Sequence, residues 1–174
     1  MRIISGKLKG SKLFVSKKLK LRPTTDRAKE GLFNILENKY NFNNCSVLDL
    51  FSGTGSISFE FFSRGCDEIV AVEGNKKCIE SIRESAKKLK INLRIYHSET
   101  LRFLKNQKNK YDIIFADPPY NFNKYNELKD LIIKNNIIND NGCLIIEHEK
   151  KTVFEYPNIK TRKYGEVNFS IFYI

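Results

Sequence analysis

Apolar positions along this chain fall into short runs separated by turn residues, and the runs alternate between two periods. "SVLDLF" (Ser46–Phe51), "EIVAVE" ending at Glu73, "LRIYH", "YDIIFA" and "CLIIE" are nearly continuous apolar stretches of strand length. Between them lie segments of helical period. "ISFEFFSRG" is closed by Gly65, and from Asn75 to Leu89 the residues Cys78, Ile79, Ile82, Ala86 and Leu89 share one face. "SETLRFLKN" reads as a short helix, and Leu128, Leu131, Ile132 and Ile133 mark another. The tail "NIKTRKYGEVNFSIFYI" reads as two strands joined through Gly165. At the other end, residues 2–4 and 12–15 are apolar-basic runs that form a β-hairpin or two edge strands. Pro23 then pushes Arg22 towards an extended conformation, and Thr24, Thr25 or Asp26 can cap a helix whose Ala28, Leu32, Ile35 and Leu36 share a face.

Strands that are apolar on both sides, alternating with helices, predict a mainly parallel sheet covered on both faces. The closing hairpin adds an antiparallel edge. The fold class expected is therefore α/β, doubly wound, in one structural domain: residues 1–40 form a basic hairpin and helix packed on a core domain of residues 41–174. Ligands of such a sheet bind beyond the carboxyl ends of its strands. Three of those ends carry reactive residue types: Asp49 to Gly55, Glu73, and Asp117 to Tyr120.

Composition narrows the classes. A content of 29% charged residues and the lack of any apolar run near ~20 residues exclude a membrane-spanning helix. Without a signal-peptide pattern, a cytoplasmic location is expected. Cys45, Cys66, Cys78 and Cys143 are widely spaced and, with His97 and His148, offer no metal-ligand spacing, so reduced thiols and no metal are expected. The net charge of +11 is unevenly placed: residues 1–40 hold 11 Lys/Arg against 3 Asp/Glu, and from Met1 to Thr25 there are eight basic side chains and no acid. That asymmetry points to a phosphate-backbone contact surface, with Lys17, Lys18 and Lys20 at its centre.

In "DLFSGTGS", Gly53 and Gly55 sit between a strand and a helix, where missing side chains let a ligand approach free backbone N–H groups. The third glycine of a dinucleotide fingerprint is absent, because Ser58 stands in its place. Glu73 follows Gly53 by 20 residues, where a carboxylate can accept bonds from two ribose hydroxyls. A nucleoside without a diphosphate, such as S-adenosylmethionine, fits this set. Ser52 belongs to the same loop. Asp49 lies near the ligand's cationic end, directly or by bracing the loop, and Glu99 or a backbone amide meets the adenine.

"FADPPY" follows the fourth strand. A nucleobase amine is a poor nucleophile because its lone pair is delocalised into the ring, so its two N–H groups must be held. Asp117 and the Pro118 carbonyl are candidate acceptors, Pro118 and Pro119 fix the backbone near φ ~−65°, and Tyr120 offers a stacking face.

"RIISGKLKG", "LRPTTDRAKEGLFNIL", "VLDLFSGTGSISFEFFSRG", "VAVEGN", "DIIFADPPY" and "GCLIIEHE" occur in the order seen in RsmD-type methyltransferases, and the chain resembles that family nearly end to end. The resemblance implies a seven-stranded Rossmann-like sheet, S-adenosylmethionine as cofactor, and methylation of guanine N2 in 16S ribosomal RNA at the guanine 966 site. The partner implied is an assembled or partly assembled small ribosomal subunit, met by a monomer. By position it also implies that Asp49, Ser52, Gly53, Gly55 and Glu73 bind the cofactor. Asp117 to Tyr120 hold the target amine, and Arg22, Thr24, Asp26 and Arg27 flank it. Two other readings remain: an N6-adenine methyltransferase acting on RNA or DNA, and a non-catalytic RNA-binding assembly factor on the same fold.

Overall fold

The computed structural model describes residues 1–16, Leu19 and residues 24–174 of the chain. The expectations for Lys17, Lys18, Lys20 and Arg22 lie outside the described residues. Seven strands form one sheet: β1 (Ser46–Leu50), β2 (Glu68–Glu73), β3 (Arg94–His97), β4 (Tyr111–Ala116), β5 (Ile138–His148), β6 (Ile159–Tyr164) and β7 (Val167–Tyr173). Their order is β3-β2-β1-β4-β5-β7-β6, parallel from β3 to β5, with β7 and β6 antiparallel at the edge. The switch in winding direction falls between β1 and β4, so the loops after these strands open a crevice at the carboxyl edge.

Among the described residues, five α-helices cover the sheet: α1 (Asp26–Glu37), α2 (Ser56–Ser63), α3 (Lys76–Leu89), α4 (Thr100–Lys105) and α5 (Tyr125–Lys134). Alternate side chains of each strand point to opposite faces. Val47, Ile69, Ile113 and Ile145 therefore pack against α1, α2 and α3, while Leu48, Val70, Ile114 and Ile146 pack against α4 and α5. Thr25 caps α1, its hydroxyl accepting the Ala28 N–H. Among the described residues, no helix is long and apolar enough to cross a membrane. All four cysteines are free and buried.

Two elements differ from expectation. β5 begins at Ile138 rather than near Cys143, because the polar Asn139–Gly142 stretch stays in the strand at a break in register opposite Tyr111 and Ile113. The N-terminal segment up to Ser16 forms no strand of the sheet; it makes one antiparallel bridge, Arg2 to Lys12. Instead it straps the helices. Ile4 and Ser5 donate their N–H groups to the Glu60 carboxylate at 2.9 and 3.0 Å, and Phe14 N–H reaches Ser85 Oγ on α3 at 2.9 Å. Gly6 has φ +77°, and a Cβ there would lie 1.9 Å from the Ser63 carbonyl oxygen, so the strap can seat only with glycine at this point. Ile3 and Leu13 join the same apolar cluster as α1 and β1.

Glu60 holds the strap in place from a fully buried position on α2. It also faces Lys29 Nζ at 3.4 Å and Arg64 Nε at 2.9 Å. Burial lowers the Lys29 pKa, while Glu60 acts to raise it; the ammonium also donates to the Arg2 carbonyl at 2.8 Å.

Candidate active site

The chain leaves β1 through a turn that ordinary residues adopt poorly. Phe51 has φ +55°, Gly53 +55° and Gly55 +80°. Ser52 pins the turn by donating both its N–H and its hydroxyl to the Val72 carbonyl, each at 3.1 Å. Gly55 is the N-cap of α2, and a Cβ there would lie 2.9 Å from the Phe59 ring. Gly53 N–H donates to Glu73 Oε2 at 2.8 Å, and Asn75 N–H to Glu73 Oε1 at 2.7 Å. Two backbone donors thus orient the carboxylate at the tip of β2.

Asp49, buried on β1, accepts the N–H and the hydroxyl of Ser58 in the first turn of α2. Burial raises its pKa to about 7 against the pull of those bonds, with a smaller contribution from the negative charge of Glu73. These contacts tie β1 to the first turn of α2, just beyond the glycine turn.

The corner after β4 is anchored by Asp117 N–H to the Leu50 carbonyl at 3.4 Å, and the turn beyond it by Phe122 N–H to the Pro119 carbonyl at 2.8 Å. Pro118 is buried, Asp117 half-buried, and Tyr120 is 62% exposed. Burial first, then the negative charges of Glu147 and Asp49, hold the Asp117 carboxyl well above the usual carboxylate range.

These tips line one cleft of about 530 Å³, a volume suited to a nucleoside-sized ligand. It brings together Asp49, Ser52, Gly53, Glu73, Asp117, Pro118, Pro119, Tyr120 and Thr24. Gly55 stands behind the loop as the α2 cap and is not part of the lining. Glu99 is not brought into the cleft either. Its carboxylate caps α4, accepting Leu101 N–H at 3.1 Å and Arg102 N–H at 2.8 Å. Asp26 and Arg27 begin α1 outside the lining, and Asp26 is tied to Arg2 Nε at 2.9 Å. Among the described residues, no group of three or more His, Cys, Asp or Glu could hold a metal ion.

One wall was missed by sequence reasoning. Glu147 ends the apolar run of β5 beside the β4 tip, lines the cleft, and accepts the Thr24 hydroxyl at 2.9 Å. Its signal was present in "CLIIE": an acid closing a buried strand, as Glu73 closes β2.

A protein-family model described as Conserved hypothetical protein 95 matches residues 1–173. Ribosomal RNA small subunit methyltransferase D of Buchnera aphidicola (subsp. Baizongia pistaciae) is 34% identical over 99% of this chain and 91% of its own length. The chain belongs to that family, the RsmD family. Among solved structures, hypothetical protein TTHA0928 of Thermus thermophilus superposes with a TM-score of 0.88 at 25% identity, covering 98% of each chain. A more distant likeness shows the fold alone. It is to the T. thermophilus 16S rRNA N2 methyltransferase RsmC, solved with AdoMet and guanosine, at a TM-score of 0.68 and 18% identity over 90% of this chain and 44% of that one. The fold is the Rossmann-like methyltransferase fold, and curated members of the family are named as small-subunit ribosomal RNA methyltransferases.

Proposed function

We propose that this protein transfers the methyl group of S-adenosylmethionine to the exocyclic N2 of a guanine in 16S ribosomal RNA, at the guanine 966 site of the small subunit. The observation that carries the reading is the sharing of one cleft by Glu73 and Asp117. The family relatives named as small-subunit rRNA methyltransferases support the substrate class.

The residues present fit the cofactor. Glu73, held by two backbone donors, retains acceptor capacity for ribose hydroxyls, since each carboxylate oxygen has two lone pairs. The glycine turn leaves the wall bare at Gly53, where a Cβ would meet only the Phe51 carbonyl oxygen, at 4.0 Å. The carboxylates of Asp49, Glu73, Asp117 and Glu147 make the cleft favourable for a cationic ligand in a protein of net charge +11. When bound, S-adenosylmethionine supplies a methyl group already activated by its sulfonium.

The chain's own task is then alignment of the acceptor. Asp117 accepts one N–H of the amine and the Pro118 carbonyl the other, which leaves the nitrogen lone pair directed into the cleft. Pro118 and Pro119 hold both acceptors before the base arrives, and such preorganisation can supply up to ~7–11 kcal/mol of a barrier. Tyr120 stacks on the base, which must be splayed from the RNA to reach the corner. The methylated amine, cationic for an instant, gives up a proton, and the raised pKa of Asp117 suits it to receive one. The basic strap, with Lys9 and Lys12 exposed, together with Lys17, Lys18, Lys20 and Arg22, meets phosphates; Thr24, Asp26 and Arg27 lead from it to the cleft and α1.

The test is mass-spectrometric mapping of methylated nucleosides in small-subunit RNA from cells with and without the gene. One N2-methylguanine lost on deletion and restored by the purified protein is expected. An unchanged map, or loss of N6-methyladenine instead, overturns the reading.

A further inference from the structure

We infer that Glu147 is the specificity-determining residue that reads N1–H of the target guanine and so excludes adenine. The inference rests on the guanine-N2 reading above. Ala116 pairs with Ile146 in the parallel β4/β5 ladder, so Asp117 and Glu147 are the next residues on adjacent strands, and both line the cleft. Like charges set side by side disfavour each other's ionised form, and a base edge that presents adjacent donors to both offsets that repulsion.

The guanine Watson–Crick edge carries adjacent donors, N1–H and the N2 amine. Adenine also offers an exocyclic amine, but beside it N1 is a lone pair. With the amine held by Asp117 and the Pro118 carbonyl, the neighbouring ring position falls towards β5, where Glu147 accepts N1–H of guanine and repels the bare N1 of adenine. The Asp-Pro-Pro-Tyr corner alone suits either amine; the second carboxylate does not. Thr24 is a positioning residue here. Its hydroxyl donates to Glu147 Oε2 at 2.9 Å from the residue before the α1 cap and so orients the carboxylate. That contact also gives the junction between the basic N-terminal segment and α1 a direct part in base selection.

The probe is 2-aminopurine, which keeps the 2-amino group, replaces N1–H by a lone pair and also lacks O6, so the N1–H contribution is read from how the preference changes with Glu147. The full-length protein and its Glu147→Gln and Thr24→Val variants are assayed on an rRNA fragment bearing the mapped target guanine, and on the same fragment with 2-aminopurine in its place. Wild type should prefer guanine by roughly 10²-fold or more in kcat/KM, because a site built to accept a hydrogen bond discriminates strongly against a base that lacks it. Glu147→Gln, whose amide can accept from N1–H or donate to N1, should bring the two substrates to within about tenfold. Thr24→Val should lower the ratio part of the way. A ratio unchanged in Glu147→Gln, including an equal loss on both substrates, overturns the inference while leaving guanine-N2 transfer standing. Equal wild-type rates on the two bases overturn it whatever the variants do. No methylation of the guanine fragment by wild type overturns the underlying reading instead.

Discussion

The Gly53 N–H donates to Glu73 Oε2 at 2.8 Å, and this bond couples the tips of β1 and β2 across the floor of the cleft. The same carboxylate that would bind ribose thus sets the shape of the glycine turn. With ribose bound there, its removal would cost cofactor affinity twice, through the lost acceptor and through the Gly53 and Asn75 N–H groups left unpaired. Glu73→Ala should weaken S-adenosylmethionine binding roughly 10- to 100-fold, following the ~1.5–3 kcal/mol typical of hydrogen bonds to charged groups. Glu73→Gln should fall between. Calorimetric titration decides it, and an unchanged affinity removes Glu73 from the cofactor site.

Asp117 separates chemistry from binding. Asp117→Ala should slow single-turnover methyl transfer by at least about 10²-fold while S-adenosylmethionine affinity stays close to wild type. The pH profile adds a second reading. Burial, Glu147 and Asp49 raise the pKa of this carboxyl, so its ionised form disappears on acidification earlier than that of an ordinary aspartate. The wild-type rate should therefore fall as pH drops through that raised value, and Asp117→Asn should lack this limb. Full activity in Asp117→Ala would show that the amine is held elsewhere.

How far the sequence revealed these features depended on whether a residue's neighbours were local. The parallel strands were legible because burial on both faces leaves little room for polar residues, and their tips then stood out as acids. The Asp-Pro-Pro-Tyr corner and the glycine turn announce themselves by backbone chemistry alone. Glu99 shows the limit: an acid opening a short helix has the same local pattern whether it meets a ligand or caps the helix, and here it caps. Glu60 was hidden for the opposite reason. Within "ISFEFFSRG" it looks like the polar position of a helix, and only the strap, distant in sequence at Ile4 and Ser5, reveals it as buried.

Asp49 should leave a signature in stability. Its folded pKa of about 7 lies above the usual 3.8, so the native state binds the proton more tightly than the unfolded chain. Its contribution is fully present below pH about 4 and is lost as pH rises towards about 7, with a slope of at most ~1.4 kcal/mol per pH unit. Asp49→Asn, which can still accept from Ser58 and carries no charge, should flatten that part of the curve. Urea midpoints measured from pH 4 to 8 test this, and parallel curves for the two proteins would assign the slope to other groups.

Tyr120 is 62% exposed beside the Asp117–Pro119 corner, an arrangement suited to a stacking platform. Tyr120→Ala should raise KM for the RNA substrate about 5- to 100-fold, in line with ~1–3 kcal/mol per stacked base, and Tyr120→Phe should recover most of the loss. Cofactor affinity should not follow. If the alanine variant binds and turns over RNA like wild type, the base is stacked on another surface.

Glu60 links the helical layer to the basic N-terminal strap. Its carboxylate receives the Ile4 and Ser5 N–H groups, Lys29 and Arg64, with Lys29 only 1% and Glu60 0% exposed. Removing one member of a buried pair typically costs ~3–5 kcal/mol because the other is left charged without compensation. Glu60→Ala should reach that range in chemical denaturation and also free the strap, whose seating depends on this carboxylate and on Ser63. Lys29→Met leaves Glu60 its Arg64 and backbone partners, so it should cost less. The double variant Lys29→Met, Glu60→Met should then recover part of the Glu60→Ala loss, since the one buried cation left behind, Arg64, keeps its pair with Glu37 at 2.7 Å, yet the strap should stay loose without its acceptor. Protease cleavage within the strap measures that second effect apart from global stability. Equal protection of wild type and double variant would mean that apolar packing of Ile3 and Leu13 seats the strap, and that the buried carboxylate is dispensable for holding it.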